Sequence, residues 1–130
     1  MKSSLLLFCL LFCSIFSLQA QDEDYKKYLP LSYADIDSLV YIQYNKGAFD
    51  KAIPLLMAGR EKAKNQFGTQ DSTFAEYTAN LGFFYSQMGN YEKALPLHIQ
   101  AKKIYEKVLG KEHPDFALSL HSLAALHKQF

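Results

Sequence analysis

The chain has 130 residues, with 14 Lys and Arg against 13 Asp and Glu, a formal net charge of +1. That length gives one domain at most. The near-neutral balance argues against nucleic-acid or anionic-membrane binding driven by bulk charge.

The first twenty residues, MKSSLLLFCLLFCSIFSLQA, carry basic Lys2, an apolar core from Leu5 to Leu18 and small Ala20. This is the layout of a signal peptide, with cleavage expected after Ala20 and an exported, periplasmic or secreted product. The alternative is an uncleaved anchor, but the apolar run is short of the ~20 residues of a spanning helix. Cys9 and Cys13 sit inside the apolar core without the small preceding residues of a lipidation site. They are the two cysteines of the chain. Cleavage would leave no disulfide, thiol nucleophile or thiolate metal site, so stability must come from packing. Residues 21–31 are expected to be an N-terminal linker, and the acidic Asp22, Glu23 and Asp24 a solvated tail.

From Ser32 onward the chain repeats with a shift of 42 residues. GAFDKAIPL from Gly47 recurs as GNYEKALPL from Gly89, Gly68 falls on Gly110, and Leu39, Leu81 and Leu123 align. The matches occupy turn and apolar positions while surface positions drift, the signature of stacked repeats. Three units are expected, at about 32–73, 74–115 and 116–130, the last holding a single helix. In the second unit, Phe74, Tyr77, Leu81, Phe84 and Tyr85 are spaced for a helix from Phe74 to Met88. Gly89 and Asn90 stop it, and Asn90 can cap the next. That helix is expected from Tyr91 to Leu109, with Ala94, Leu97, His98, Ala101, Ile104, Tyr105 and Val108 on one face. Pro114 and Asp115 suit the start of a third-unit helix reaching Phe130. Gly82 and Ala94 are small where the two helices of the unit approach. Pro54 and Pro96 fall at the same phase inside their helices, a bend the unit tolerates.

Leu81-Gly82, Tyr85, Gly89, Tyr91, Ala94 and Ala101 together resemble the tetratricopeptide repeat. His98 departs from that pattern, standing where a large apolar residue is usual. The 42-residue period and the LGKEHPD segment from Leu109 resemble the long-repeat, kinesin-light-chain-like subclass found in many bacterial proteins. The first unit is similar but looser, with Val40 for Gly82, Gln43 for Tyr85 and Gly59 for Ala101. The resemblance implies an all-α, right-handed α-solenoid and a scaffold that binds a protein or peptide. It implies no enzyme activity. It also implies that the first helix of each unit lines a concave groove. Carried over by position, that face holds Asp37, Ser38, Tyr41 and Asn45, then Glu76, Asn80, Phe83 and Gln87, then His121, Ser122, Ala125 and Lys128. The candidate peptide-binding residues are Tyr41, Asn45, Asn80, Phe83, Gln87, Ser122 and Lys128. Asn80 can donate to and accept from a peptide backbone, and Tyr41 and Phe83 can supply contact area.

No catalytic, cofactor or metal site is expected. His121 and His127 are six apart, not at ligand spacing, and His113 reads as a helix cap. There is no phosphate loop, HExxH or Gly-x-Ser-x-Gly. Two basic clusters, Arg60, Lys62 and Lys64, then Lys102, Lys103 and Lys107, read as cations placed at helix C-termini. The last helix is apolar, with Phe116, Leu118, Leu120, Leu123, Leu126 and Phe130. It reads either as an end cap or as the front of a longer exported protein, for which a caspase-like peptidase or signalling module would supply the activity. Self-association through this end is the third reading.

Overall fold

The computed structural model describes residues 24–130. The leader, its cleavage position and both cysteines lie outside the described residues. A short 3-10 helix, Asp24–Tyr28, is followed by five α-helices: α1 (Tyr33–Asn45), α2 (Phe49–Phe67), α3 (Ser72–Gln87), α4 (Tyr91–Val108) and α5 (Pro114–His127). No strand occurs among the described residues.

Local chemistry sets the helix ends. Ser32 accepts from the Asp35 amide while the Asp35 side chain reaches back to the Ser32 amide, so α1 starts on a capping box. Asp71 caps α3 through the amides of Thr73 and Phe74. Asn90 accepts from the Lys93 amide at 3.3 Å, as expected of the cap of α4. His113 Nδ1 accepts from the Asp115 amide at 3.2 Å, with Pro114 opening α5. Gly89 turns the chain between α3 and α4 at φ +74, and Gly47 does the same between α1 and α2 at φ +66. These are left-handed conformations that a side chain would strain. Pro54 and Pro96 each lie inside an unbroken helix.

Each helix packs on its neighbours in sequence, α1 on α2, α2 on α3, α3 on α4 and α4 on α5, with α5 also touching α3. One core runs through the stack, from Ile36 through Leu55, Leu56, Phe74, Tyr77, Leu81 and Phe84 to Ile104, Tyr105 and Phe116. This is an all-α repeat solenoid, and no described helix is long and apolar enough to cross a membrane.

Four expectations change. α5 ends at His127, leaving Phe130 beyond it and 68% exposed. Val108 is the last residue of α4, and its side chain stays exposed where the apolar stripe placed it inside. Arg60 and Lys102 are not end-of-helix cations. The Arg60 guanidinium lies 4.7 Å over the Phe74 ring, and Lys102 lies 5.8 Å over Phe116, the same pair one period later. Lys64 and Lys107 do occupy last turns. Finally, residues 24–31 pack on the array: Tyr25, Tyr28, Leu29 and Leu31 join the core margin, and Lys62 Nζ donates to the carbonyls of Leu29 and Leu31.

Candidate functional site

First helices of successive units meet one turn out of phase with the repeat. Tyr44 on α1 lies 6.1 Å from Phe83 on α3, 39 residues later rather than 42. The exposed face of these helices is therefore built in rows. One row is aromatic. Phe83 is 38% exposed and meets Phe84 edge-on at 5.6 Å, and Tyr44, 46% exposed, also contacts Phe49 and Phe84. A second row is acidic and holds Asp37, Glu76 and Asp115, again at 39-residue spacing.

The candidate residues distribute unevenly over this face. Phe83, Gln87 and Ser122 line one open cleft of about 480 Å³ between α3 and α5, together with His121, Ala125 and Leu126. Tyr41, 65% exposed, and Asn45, the last residue of α1, lie outside it. Asn80 is exposed on α3, on the stripe that joins Glu76 to Phe83, and does not line the cleft. Lys128 follows the end of α5 and is exposed, also outside the cleft. Ser122 Oγ donates to the Leu118 carbonyl at 3.1 Å, so its hydroxyl is partly engaged by its own helix.

Other residues of the face were not among the sequence candidates. Tyr44 is the clearest: the 42-residue shift pairs it with Ser86, whereas its spatial neighbour is Phe83. His98 lines the floor of the cleft and is buried against Gly82. Its burial lowers the imidazole pKa below the ordinary histidine value, and the Gly82 backbone offsets part of that. Asp37 accepts a 2.7 Å hydrogen bond from the Tyr77 hydroxyl, which ties the exposed face of α1 to α3. Burial, then Asp37 and its neighbours, push the Tyr77 phenol far above the usual tyrosine range. Among the described residues no three metal-ligating side chains gather.

Paired helices, a turn glycine and small contact residues come together in the second unit. Residues 74–115 match the family model of the tetratricopeptide repeat. The match spans one full period, from Phe74 in α3 to Asp115 in α5. The matched segment contains the departure noted above, and the structure supplies the reason for it. His98 fills the space opened by Gly82: a methyl group built on Gly82 would fall 2.9 Å from His98 Nε2. In the first unit the same two positions hold Val40 and Leu56. Bulk has moved from the first helix to the second, and the contact remains filled. No curated protein matches this chain.

Proposed function

We propose that this protein is a non-catalytic interaction scaffold whose first-helix face receives an extended peptide of a partner protein. Tetratricopeptide repeats mediate protein–protein interactions and are typically scaffolds, which supports the general role. The single observation that carries the finer reading is the exposed stripe on α3. Asn80 stands between Glu76 and Phe83, its side-chain amide without a hydrogen-bond partner among the described residues, beside an aromatic row that keeps much of its area in solvent. An amide that donates and accepts holds a peptide backbone whatever its side chains, and the rings provide the desolvated contact that carries affinity. The long period supports a place in the kinesin-light-chain-like subclass, and the leader pattern of residues 1–20 supports an exported location.

The test is partner capture followed by substitution. Asn80→Ala and Phe83→Ala should each weaken the captured partner by about five-fold or more, the range of one lost hydrogen bond or modest contact, with helical content unchanged. Unchanged affinity in both would remove this face as the binding surface.

A second reading, self-association, has its own observation. Ala117, Leu120 and Ala124 on α5 are exposed, while Ala75, Thr78 and Gly82, one period earlier, are buried by neighbouring helices. This face would accept a helix from another copy or from a following segment. The sedimentation of the protein across a concentration series tests the first of these. A recognition arm for a longer exported enzyme is compatible with the same face.

A further inference from the structure

The cleft between α3 and α5 has a polar floor without a charge. His98 reaches it from α4 and is only 5% exposed. Its Nε2 lies against Gly82, to whose backbone the ring gives its proton. A neutral imidazole that donates from one nitrogen keeps a lone pair on the other. That second nitrogen has no hydrogen-bond partner among the described residues, and no fully enclosed side-chain nitrogen or oxygen lacks one. The lone pair therefore opens on the cleft that His98 lines. A polar group so nearly buried normally has a partner.

The walls add further acceptors. Ser86 Oγ donates to the Gly82 carbonyl at 2.9 Å, and Ser122 Oγ donates to the Leu118 carbonyl at 3.1 Å. Each hydroxyl gives its proton to its own helix, so only lone pairs are left for an occupant of the cleft. Gln87 and Gln129 also line it, exposed, with side-chain amides that have no hydrogen-bond partner among the described residues. No Asp, Glu, Lys or Arg among the described residues lines the cleft.

We propose that this cleft receives the side chain of a glutamine in the bound peptide. This rests on the peptide-scaffold reading above and deepens it. A primary amide carries two N–H donors on one neutral nitrogen, so it can serve His98 and a serine oxygen together. Its carbonyl can accept from Gln87 or Gln129. A hydroxyl or phenol brings a single donor. Lysine and arginine bring a charge that no carboxylate in the cleft would pair, and glutamate brings a charge and no donor. An apolar side chain would leave the imidazole lone pair desolvated and unpaired. The two-methylene stem of glutamine has the Phe83 and Tyr91 rings to lie against, a contact the shorter asparagine makes less of. Asn80 is one turn from Phe83, ~4.5 Å along α3 at ~1.5 Å per residue, so a peptide backbone held by Asn80 passes the mouth of the cleft.

The probe is acetyl-Ala-Ala-Gln-Ala-Ala-N-methylamide, in which the side chain holds the one primary amide. It is titrated to millimolar concentration into the nitrogen-15-labelled full chain at neutral pH. Two controls replace the glutamine with methionine, of similar shape and apolar, and with glutamate, of similar shape and charged. The expected result is saturable shifts of the His98 and Gln87 backbone amide signals. The methionine peptide should bind about five-fold more weakly, the factor of one neutral hydrogen bond. The glutamate peptide should bind at least about ten-fold more weakly, because its charge is desolvated without a partner. His98→Leu, the residue found at this position in the first unit, should reduce the glutamine peptide to the methionine level. Ser122→Ala should weaken it about two- to three-fold, and the spectrum of each variant reports its fold directly. Methionine or glutamate binding as tightly as glutamine would overturn the glutamine site. Equal affinity of all three, with shifts confined to Asn80 and Phe83, would do so while leaving the peptide-scaffold reading standing. Undiminished glutamine binding in His98→Leu, or in Ser122→Ala should the former not fold, would also overturn it. So would the absence of binding by all three peptides, whereas the scaffold reading falls only on its own test with the captured partner.

Discussion

The Tyr77 ring fills the space where Gly59 has no side chain: a methyl group built on Gly59 would fall 2.3 Å from Tyr77 Cε1. Gly59 is on α2 and Tyr77 on α3, both buried, so the contact joins the first unit to the second. One period later the same two positions hold Ala101 and Ser119, a larger residue facing a smaller one.

Gly59→Ala should therefore destabilise the protein. Alanine is favoured over glycine in a helix interior by ~1 kcal/mol. The clash opposes that gain, because the buried ring also holds Asp37 through its hydroxyl and stacks at 5.9 Å on Tyr33. Overpacking of a filled core costs ~1–3 kcal/mol, more when backbone must move. A net loss of ~1–2 kcal/mol is expected, read as a lower urea midpoint. Adding Tyr77→Ser, which recreates the Ala101 and Ser119 combination, should cancel the clash, so the two substitutions should be strongly non-additive. Simple additivity would show that the ring is free to move.

The same exchange of bulk explains where sequence reading stopped. The turn glycines, the cap at Asn90, the start of α5 and the buried stripes were legible because each depends on residues close in the chain. Gly59 against Ala101 and His98 against Leu56 looked like faults in the repeat, because compensation across a helix contact is invisible to an alignment of one unit on the next. The rows on the first-helix face were hidden for a different reason. Neighbouring first helices pack one turn out of phase, so Tyr44 meets Phe83, and Glu76 falls between Asp37 and Asp115, at a spacing of 39 that the 42-residue shift does not show. Arg60 was misplaced because its charge suggested a helix end, whereas its neighbours are an aromatic ring and two polar side chains of the next unit.

His98 predicts a pH dependence. Burial holds its folded pKa below the ordinary value of 6.5. The unfolded chain then takes up the proton first as the pH falls. The stability from neutral His98 is complete above about pH 6.5 and is lost as the pH drops toward the folded value. Glu76 acts with the opposite sign, since its raised carboxyl favours the folded state at low pH and loses that contribution as the pH rises through its folded pKa. Comparison with His98→Leu removes the Glu76 effect. Between pH 7.5 and 5.5 the urea midpoint of the parent protein should fall relative to that of His98→Leu. Parallel curves would mean that the imidazole is not enclosed.

Arg60 predicts a graded response. Its Nε donates to Thr78 Oγ1 and an NH2 group to Gln100 Oε1, both at 2.8 Å, while the plane lies over Phe74. One side chain thus ties α2 to both helices of the next unit. Arg60→Ala removes two hydrogen bonds and the ring contact and should cost ~2–3 kcal/mol. Arg60→Lys restores the arrangement seen at Lys102 over Phe116 but lacks the planar fork, so it should recover only part of the loss. Thermal denaturation of the three proteins gives the order directly. Equal stability of the lysine and alanine forms would assign the effect to the hydrogen bonds alone.

The segment before α1 predicts a coupling rather than a single loss. Lys62 Nζ donates to the Leu29 and Leu31 carbonyls and lies 5.2 Å from the Tyr33 ring centre, and Tyr25, Tyr28, Leu29 and Leu31 rest against the core. Two protein fragments decide whether this contact closes the first unit, one starting at Asp24 and one at Ser32. The shorter should be less stable by ~2–4 kcal/mol, the value of several half-buried apolar side chains. Lys62→Ala should cost ~1 kcal/mol in the longer fragment, where it removes carbonyl partners. In the shorter fragment those carbonyls are gone, and the same substitution should cost little beyond the Tyr33 contact. A loss from Lys62→Ala that is equal in the two fragments would show that the lysine does not hold the segment, and that its contact with the core depends on the apolar side chains alone.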